Sequence, residues 1–250
     1  MSVADDIVAW IRGVVAAAEA RGVVVGLSGG LDSSVVAALA AHALPGKVLG
    51  AVLPCESDPR DAELARLVAA QFQVETIELD LTPAYRALAA VLPEAPALVK
   101  ANLKPRLRMA ALYYLAASRR YLVCGASNRS ELSIGYFTKF GDGAVDMMPI
   151  GGMLKSEVYA LAHQLRIPHP IIERPPTAGL WTGQTDEAEM GLLYSELDAA
   201  LRAIAQGDTS AVPPDILADV QAKIRASAHK RALPPIFIPR HDRSTPNPGA

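Results

Sequence analysis

The fold is decided by residues 23–34, which read VVVGLSGGLDSS. Three β-branched residues predict a short buried strand that ends at Gly26, and the glycine-rich stretch after it predicts a tight turn. The following residues predict a helix over 33–43, which Pro45 and Gly46 end. A strand that passes through a glycine turn into a helix is the first half of a βαβ unit.

The segments downstream continue the same alternation of strands and helices. Apolar and β-branched runs predict strands over 48–53, 74–81 and 121–125. Helical spacing of apolar residues predicts helices over 61–71 and 106–118. Buried strands that alternate with helices form a parallel sheet with right-handed crossovers, so the fold class is α/β. Ligands bind beyond the carboxyl ends of such strands, and a site is expected where the first and fourth strands end.

The composition of the 250 residues is that of a chain with a sizeable buried core. Hydrophobic residues make up 51% and charged residues 20%, which excludes wholesale disorder. The formal net charge of -2 argues against a dedicated nucleic-acid binder, because such proteins usually carry a basic surplus. We expect a single domain over residues 1–250, with a frayed tail from about 240 to 250.

The chain shows no sequence signal for export or membrane insertion. Residues 1–21 are amphipathic and contain Asp5 and Asp6, so they lack the basic start and apolar core of a signal peptide. No apolar run reaches the roughly 18 residues of a membrane span. The two cysteines, Cys55 and Cys124, lie far apart, which indicates neither a zinc site nor a disulfide framework. A reduced, cytoplasmic location is expected.

The loop over residues 28–34 has the composition of a phosphate-binding turn. Glycines let backbone N–H groups approach an anion, and the helix amino terminus behind them adds a favourable dipole. The hydroxyl groups of Ser28, Ser33 and Ser34 can donate to phosphate oxygens. Asp32 is unusual beside an anion unless a cation such as Mg²⁺ lies between them. The simpler alternative is an ordinary turn in which Asp32 or Ser33 caps the helix.

Further polar and charged segments follow in a fixed order. They read NLKPRLRM at 102–109, GASNRSE at 125–131, GYFTKFGD at 135–142, LK at 154–155, PPTAGL at 175–180, QTDE at 184–187 and HKR at 229–231. With the SGGxDS loop, this series resembles the ammonia-dependent NAD synthetases, members of the ATP pyrophosphatase superfamily. The resemblance extends from about residue 22 to about residue 235. The TKFGD and PPTAGL segments distinguish this family from other proteins with an SGGxDS loop, because relatives that share only the loop lack them.

The resemblance implies a fold and a reaction. The fold is a three-layer, doubly wound parallel sheet of the Rossmann-like adenine-nucleotide alpha-hydrolase type. The reaction, the last step of NAD biosynthesis, adenylates the nicotinate carboxylate of deamido-NAD with ATP, releases pyrophosphate, and forms the amide with ammonia as AMP leaves. Mg²⁺ and a homodimer are also implied. The short segment before Ser28 cannot form the amidase domain of glutamine-dependent relatives, so free ammonia or a separate ammonia-supplying partner is expected.

The resemblance also gives roles to positions that match the family's motifs. Asp32 and Glu131 would bind the metal, and Asp32 and Lys155 would be catalytic. The ATP-binding positions are Gly26, Leu27, Ser28, Gly29, Gly30, Leu31, Asp32, Ser33, Ala126, Lys155 and Thr177. The positions that match contacts to deamido-NAD are Arg106, Lys139, Asp146, His229 and Lys230. One position departs from the family, which usually has a threonine in contact with ATP where this chain has Ala126; the hydroxyl of Ser127 or a backbone contact can replace it.

Several of these positions also have simpler structural explanations. The alternatives are solvated charges at Arg106 and Arg108, a helix cap at Asn128 or Ser130, a helix-dipole contact at 229–231, a turn at Asp142 and a core position for Cys124. Asp186 and Glu189 are interpreted as a capping box, and neither is a candidate site residue.

Two other functions remain open from the sequence. One is a related SGGxDS enzyme that amidates or thiolates a nucleobase or a tRNA, which the absence of a basic surplus and the TKFGD and PPTAGL segments oppose. The other is a non-catalytic nucleotide-binding module that keeps the fold, which only Ala126 favours. A measurement of ATP turnover separates the two classes.

Overall fold

Four short strands, each followed along the chain by a helix, form a parallel sheet. The structure, a computed structural model, describes residues 2–181 and 183–237, and the tail expected to fray from about 240 lies outside the described residues. The strands are β1 (Gly22–Gly26), β2 (Val48–Val52), β3 (Glu75–Glu78) and β4 (Tyr121–Cys124). Their order across the sheet is β3-β2-β1-β4, with every pairing parallel.

Helices connect and cover these strands. They are α1 (Val3–Ala17), α2 (Leu31–Ala43), α3 (Pro59–Gln71), α4 (Thr82–Val91), α5 (Ala97–Ala101), α6 (Leu103–Arg119), α7 (Arg129–Ile134), α8 (Lys155–Gln164), α9 (His169–Ile172), α10 (Asp186–Met190), α11 (Tyr194–Gln206), α12 (Pro214–Ala226) and α13 (Ala228–Arg231). In the part of the chain that the structure describes, none of the helices combines the length and the apolar character that crossing a membrane requires.

The central strand β1 explains why the sheet is covered on both faces. Successive residues of a strand point to opposite faces, and β1 is apolar on both. Val23 and Val25 belong to a large core with α1, α2, α3 and α8, whereas Val24 packs on the other face with Leu115 of α6. A parallel sheet with two apolar faces requires helices on each side. The predicted three-layer, doubly wound arrangement is confirmed.

The direction in which the chain moves across the sheet reverses next to β1. The strands β1, β2 and β3 follow one another toward one edge, and β4 then pairs with β1 on its other side. The boundary between β1 and β4 is therefore a topological switch point, where open α/β sheets bind ligands. The glycine-rich loop and the segment after Cys124 both begin there, as the sequence predicts.

A second, smaller core forms among the C-terminal helices. Buried residues of α10, α11 and α12 pack with Ile134 of α7 and with Leu154, the residue before α8. Leu197 and Ala200 of α11 are both completely buried. This core fixes α11 against the two segments that contain Glu131 and Lys155.

Several elements differ from the sequence-based predictions. The helix α2 begins at Leu31 with Gly30 as its N-cap, so neither Asp32 nor Ser33 caps it. The strand β3 covers four residues instead of eight, because it lies at the sheet edge and pairs only with β2. The helices α4 and α5 were not predicted; α4 buries none of its residues, and α5 has only five residues, of which Ala101 is buried.

Glycine at position 22 is required by close packing of the sheet, and we predict that Gly22→Ala destabilises the fold. A Cβ atom there would overlap the carbonyl oxygen of Lys47 and lie 2.8 Å from the ring of Tyr121. We expect a loss of about 1–3 kcal/mol in the free energy of unfolding, measured by urea denaturation. Gly13→Ala is the matched control, because a Cβ in the middle of α1 meets no atom within 4 Å. Gly13→Ala should stabilise the fold by roughly 0.5–1 kcal/mol, because alanine is preferred over glycine inside a helix. Equal effects of the two substitutions on the free energy of unfolding would contradict the packing argument.

Candidate active site

The loop between β1 and α2 is held in shape by its own backbone and hydroxyl groups. Gly29 has a φ of +73°, and a Cβ there would overlap the carbonyl oxygen of Asp61, so glycine is required. The hydroxyl groups of Ser28 and Ser33 lie 3.0 Å apart and both line a cavity. Ser34 is different, because its buried hydroxyl donates to the Gly30 carbonyl at 2.7 Å. Ser34 therefore stabilises the first turn of α2, and the expectation that it also donates to a phosphate stays a prediction.

A cavity of about 830 Å³ opens at the switch point of the sheet. It is lined by the β1–α2 loop, by the residues Gly125, Ala126 and Ser127 after β4, and by the segment 174–180. Asp32, Glu131 and Lys155 also line it. Every predicted ATP-binding residue except Gly29, which shapes the loop from behind, contributes to this one cavity.

A charged cluster forms where α2, α7 and α8 begin. The Lys155 ammonium binds the Asp32 carboxylate and lies 3.7 Å from Oε1 of Glu131. The Asn128 side-chain amide donates to Oδ1 of Asp32 at 3.3 Å. The Lys155 side chain is only 2% exposed, and a charge buried this deeply requires compensation. These carboxylates provide it, together with the ring of Tyr194, whose centroid is 5.1 Å from the ammonium.

Glu131 combines a structural and a chemical position. Asn128 is the N-cap of α7, and Glu131 completes a capping box by accepting from the Asn128 backbone N–H through Oε2. Its other oxygen, Oε1, accepts from the Tyr194 hydroxyl at 3.2 Å and faces Lys155. The capping alternative for Asn128 is confirmed, and it leaves one carboxylate oxygen of Glu131 directed toward the charged cluster.

Asp186 belongs to the same cluster, and its interpretation as part of a capping box is wrong. The N-cap of α10 is Thr185, and no side chain caps that helix. The buried Asp186 carboxylate instead accepts hydrogen bonds from the hydroxyl groups of Tyr136 at 3.0 Å and Tyr194 at 3.1 Å. Glu189 accepts from Tyr136 at 2.8 Å. Tyr194 is 8 residues from Asp186 along the chain, and Tyr136 is 50 residues from it. Only the tertiary structure brings these side chains together.

Burial and mutual proximity perturb the ionisation of this cluster. Burial alone would lower the pKa of the Lys155 ammonium, but Asp32 and Glu131 raise it above its ordinary value. The pKa of Glu131 is raised to about 8, because burial and the nearby Asp32 carboxylate raise it more than Lys155 lowers it. Burial also raises the pKa of the Asp186 carboxyl. Three carboxyl groups face one ammonium, so the site favours an additional cation.

The residues predicted to bind deamido-NAD form a separate group at the edge of the cavity. Arg106 donates to the Lys139 carbonyl at 3.4 Å, and Lys139 donates to the His229 carbonyl at 2.5 Å. Lys230 lines the cavity, whereas Arg106, Lys139, Asp146 and His229 lie outside its lining. The structure thus brings the cationic residues together, but only one of them reaches the cavity that contains Asp32.

The HKR segment contacts the C-terminal end of α7 as well as that of α12. The Lys230 ammonium donates to the carbonyls of Gly135 and Phe137 at 2.9 Å, and Arg231 donates to those of Leu132 and Ser133. These carbonyls lie at the C-terminus of α7, where cations are favoured by the helix dipole. The dipole alternative concerned the helix that the segment itself ends. Arg231 fits it, because its guanidinium also donates to the Ile224 carbonyl near the end of α12 at 2.7 Å, whereas Lys230 contacts α7, which contains Glu131.

Asp146 fixes the end of β4. Its carboxylate accepts from the Val123 backbone N–H at 2.7 Å and from the Tyr113 hydroxyl at 3.1 Å. Burial, with help from Asp146, raises the pKa of Tyr113 to about 12, so the phenol stays a donor. The Asp146 side chain remains exposed, and these two hydrogen bonds are to α6 and β4 rather than to the other substrate-matching residues.

Two cationic residues of the site were missed by the sequence reasoning. Arg108 lines the cavity and donates to the Leu53 carbonyl at 3.1 Å, so the alternative of a solvated charge is wrong. The buried Lys104 ammonium donates to the Leu180 carbonyl at 3.0 Å and holds the PPTAGL segment, which contains Thr177, over the cavity. Both belong to the NLKPRLRM segment, whose density of cations was the available signal.

Comparisons with known proteins agree with this geometry. The family model described as NAD synthase matches residues 3–234. The chain belongs to the NAD synthase family. The NH(3)-dependent NAD(+) synthetase of Carboxydothermus hydrogenoformans is 46% identical over 237 residues, with 93% of this chain and 95% of the relative covered. That of Archaeoglobus fulgidus is 42% identical, with 94% and 95% covered.

Solved structures of this family have the same fold. The NMN synthetase from Francisella tularensis superposes with a TM-score of 0.87 at 35% identity, covering 96% of this chain and 99% of that one. The NH3-dependent NAD synthetase from Campylobacter jejuni, in complex with a nitrate ion, gives 0.84 at 28% identity, covering 95% and 100%. The predicted adenine-nucleotide alpha-hydrolase fold is confirmed for this NAD synthase chain.

In this NAD synthase site, we predict that Lys155→Met destabilises the metal-free protein by about 3–5 kcal/mol, because the half-buried carboxylates of Asp32 and Glu131 lose the buried cation that compensates them. The free energy of unfolding in urea measures the effect, and adding Glu131→Gln should recover part of it. Lys223→Met is the control, because its partner Asp219 is exposed and the pair contributes only about 0.3–0.5 kcal/mol. A loss in Lys155→Met no larger than that in the control would contradict the buried cluster.

Proposed function

We propose that this chain converts deamido-NAD to NAD, with ATP to activate the nicotinate carboxylate and ammonia as the nitrogen donor. This is the last step of NAD biosynthesis. The observation that carries the proposal is the convergence of Asp32, Glu131 and Lys155 at the switch point, in a chain of the NAD synthase family. Residues 1–250 would act as one synthetase domain, and both free cysteines are buried, in keeping with a cytoplasmic location.

Asp32 and Glu131 fit a Mg²⁺ ion that is bound together with nucleotide phosphates. Across the described residues, no group of three or more His, Cys, Asp or Glu side chains has metal-binding geometry. Mg²⁺ in nucleotide sites needs fewer, because it takes one or two carboxylates and completes its shell with phosphate oxygens and water. Both carboxylates already face one positive group, the Lys155 ammonium. When bound, Mg²⁺ would neutralise negative charge that develops on the phosphates.

The protein's own residues bind and orient the reactants. The loop after β1 and the N-terminus of α2 present N–H groups to the phosphates of ATP. Lys155, whose pKa is raised, stays protonated and supplies a fixed positive charge at the site of phosphoryl chemistry. Thr177 and Ser127 line the cavity, and Ser127 offers the hydroxyl that Ala126 lacks.

The reaction then needs no protein nucleophile. A nicotinate carboxylate oxygen attacks the α-phosphorus of ATP, and pyrophosphate leaves. Ammonia attacks the adenylated carbonyl carbon, the amide forms, and AMP leaves with the C–O bonding electrons. The burial of Cys124 raises the pKa of its thiol, so this core residue is unsuited to nucleophilic attack. Positioning and electrostatic stabilisation are the protein's contribution.

Deamido-NAD would bind at the cationic edge formed by Arg106, Lys139, His229 and Lys230, and Asp146 would contact it from the end of β4. Arginine binds phosphate oxygens in a bidentate way and lysine as a point charge, so this group suits an anionic dinucleotide. Since only Lys230 lines the cavity of one chain, a second chain is proposed to complete the substrate site.

The proposed homodimer has a candidate surface on α4, α5 and α6. Val91 is 78% exposed, Tyr114 is 76% exposed and Val99 is 55% exposed, and α4 and α5 pack against α6. Exposed apolar residues that cluster on adjacent helices mark interaction sites. Arg106 lies on α6 as well, so the same helix would contribute to the dimer surface and to the proposed dinucleotide site.

A second substrate is favoured by one comparison. The structure from Francisella tularensis, with a TM-score of 0.87, is that of an NMN synthetase. The same amidation chemistry applied to the deamidated mononucleotide would yield NMN. Both substrates have a nicotinate carboxylate that ATP can activate by adenylation. The fold and the charged cluster therefore support either substrate.

The decisive experiment measures NAD formation from deamido-NAD with ATP and Mg²⁺, with ammonium or glutamine as nitrogen donor. We expect product with ammonium alone, together with one AMP and one pyrophosphate for each NAD. The deamidated mononucleotide is assayed in parallel, and a higher kcat/KM for it would favour the second substrate. ATP binding without turnover on either substrate would contradict the synthetase and favour the non-catalytic module.

We predict that Val91→Asp combined with Tyr114→Asp weakens self-association at least roughly 10-fold, because a charge buried in an apolar interface costs more than 1.4 kcal/mol. Sedimentation measures the dimer, and KM for deamido-NAD should rise in the monomeric variant. Val3→Asp is the control, since Val3 is 54% exposed on α1, against the opposite face of the sheet. Unchanged association in the double variant would contradict the proposed surface.

A further inference from the structure

The buried carboxylate of Asp198 lies outside the cavity but bonds to both segments that contain the charged cluster. Its side chain is 1% exposed on α11. Oδ1 accepts from the Ser130 hydroxyl at 2.5 Å, and Oδ2 accepts from the Ser156 backbone N–H at 2.8 Å. The Ser130 hydroxyl oxygen in turn accepts from the Lys155 backbone N–H at 3.0 Å. One carboxylate thus connects the residue before Glu131 with the first two residues of α8.

This arrangement replaces a missing helix cap. The residue before α8 is Leu154, whose side chain has no acceptor for the first N–H groups of the helix. Asp198 and Ser130 satisfy those groups from other elements. The negative charge of Asp198 also lies at the positive end of the α8 dipole, which helps to stabilise a carboxylate buried this deeply.

Tyr194 lies one turn before Asp198 on the same face of α11. Its hydroxyl donates to Oε1 of Glu131 at 3.2 Å and to Asp186 at 3.1 Å. Its ring lies beside the Lys155 ammonium. Residues four apart on a helix share a face, so α11 reaches the charged cluster through two neighbouring side chains. Tyr194 contacts Glu131 and Lys155 directly, whereas Asp198 acts through Ser130 and the backbone of Ser156.

We infer that Asp198 and Tyr194 are positioning residues, which hold Glu131 and Lys155 in the geometry that binds ATP with Mg²⁺. The inference rests on the proposed function for the roles of Glu131 and Lys155. Asp198 fixes the backbone at the start of α8 and at Ser130, and Tyr194 fixes one carboxylate oxygen of Glu131. Residues that orient ligating or catalytic groups by hydrogen bonds change affinity or activity by 10- to 100-fold when substituted.

Two nearly isosteric variants test the inference. Asp198→Asn replaces one carboxylate oxygen by an NH₂ group, which is a donor and cannot accept a hydrogen bond. The amide therefore cannot use one oxygen for the Ser130 hydroxyl and the other for the Ser156 N–H. Tyr194→Phe removes only the hydroxyl and keeps the ring beside Lys155. The matched control is Leu201→Ala, which loosens the same helix without a polar contact to α7 or α8, because Leu201 is a buried apolar residue of the small core.

Calorimetry measures ATP binding with and without Mg²⁺ for each folded variant, and steady-state assays measure kcat and KM. Mg²⁺ should increase the affinity for ATP, and we expect this increase to be about 10-fold smaller in both variants than in the unchanged protein. The value of kcat should fall by a similar factor. Affinity for ATP without Mg²⁺ and KM for deamido-NAD should stay within about 2-fold. Leu201→Ala should lower Tm and leave the gain from Mg²⁺ unchanged.

Glu131→Ala separates failure of this inference from failure of the proposed function. If Glu131→Ala abolishes the gain from Mg²⁺ while Asp198→Asn and Tyr194→Phe retain it, the positioning role is overturned and the metal assignment stands. An equal loss in Leu201→Ala would overturn the positioning role as well, because general loosening of α11 would then explain it. If Glu131→Ala keeps the full gain, the proposed metal ligand is wrong, and the role given to α11 falls with it.

Discussion

The buried ammonium of Lys155 is the interaction on which the site depends. It binds Asp32 at the start of α2, faces Glu131 in α7, and is itself the first residue of α8. A buried charge is stable only when it is paired, so these three helix N-termini must meet at one point. The cluster therefore joins the loop after β1 to the segments after β4.

The sheet makes that meeting possible through its two apolar faces. The strand β1 is buried on both sides, and pairing with β4 places Gly26 and Gly125 at neighbouring strand ends. Helices pack on both faces, and the structure leaves an opening at the carboxyl ends of β1 and β4. The cavity of about 830 Å³ lies at that opening, which is where a reversal of strand order leaves a crevice.

Several residues of the site have a structural contact as well as a proposed chemical one. Glu131 uses one oxygen in a capping box and directs the other toward Lys155. Lys230 donates to carbonyls at the end of α7, the helix that begins with the Glu131 capping box. Side chains with two partners have little rotational freedom, which favours preorganised binding of a charged substrate.

The roles of Glu131 and Lys155 came from the family resemblance, whereas the sequence alone determined the fold class and the expected place of the site, at the ends of the first and fourth strands. These follow from local patterns, since alternating strands and helices dictate a parallel sheet and the SGGxDS loop indicates a phosphate site. Asp186 was misinterpreted and Lys104 overlooked, because their partners lie far away in sequence. Only the tertiary structure decided that Tyr194 contacts the cluster, that Asp198 bonds to both segments that contain it, and that four of the substrate-matching residues lie outside the cavity. Such contacts depend on how helices pack, and a hydrogen bond between distant residues leaves no periodic signal in one sequence.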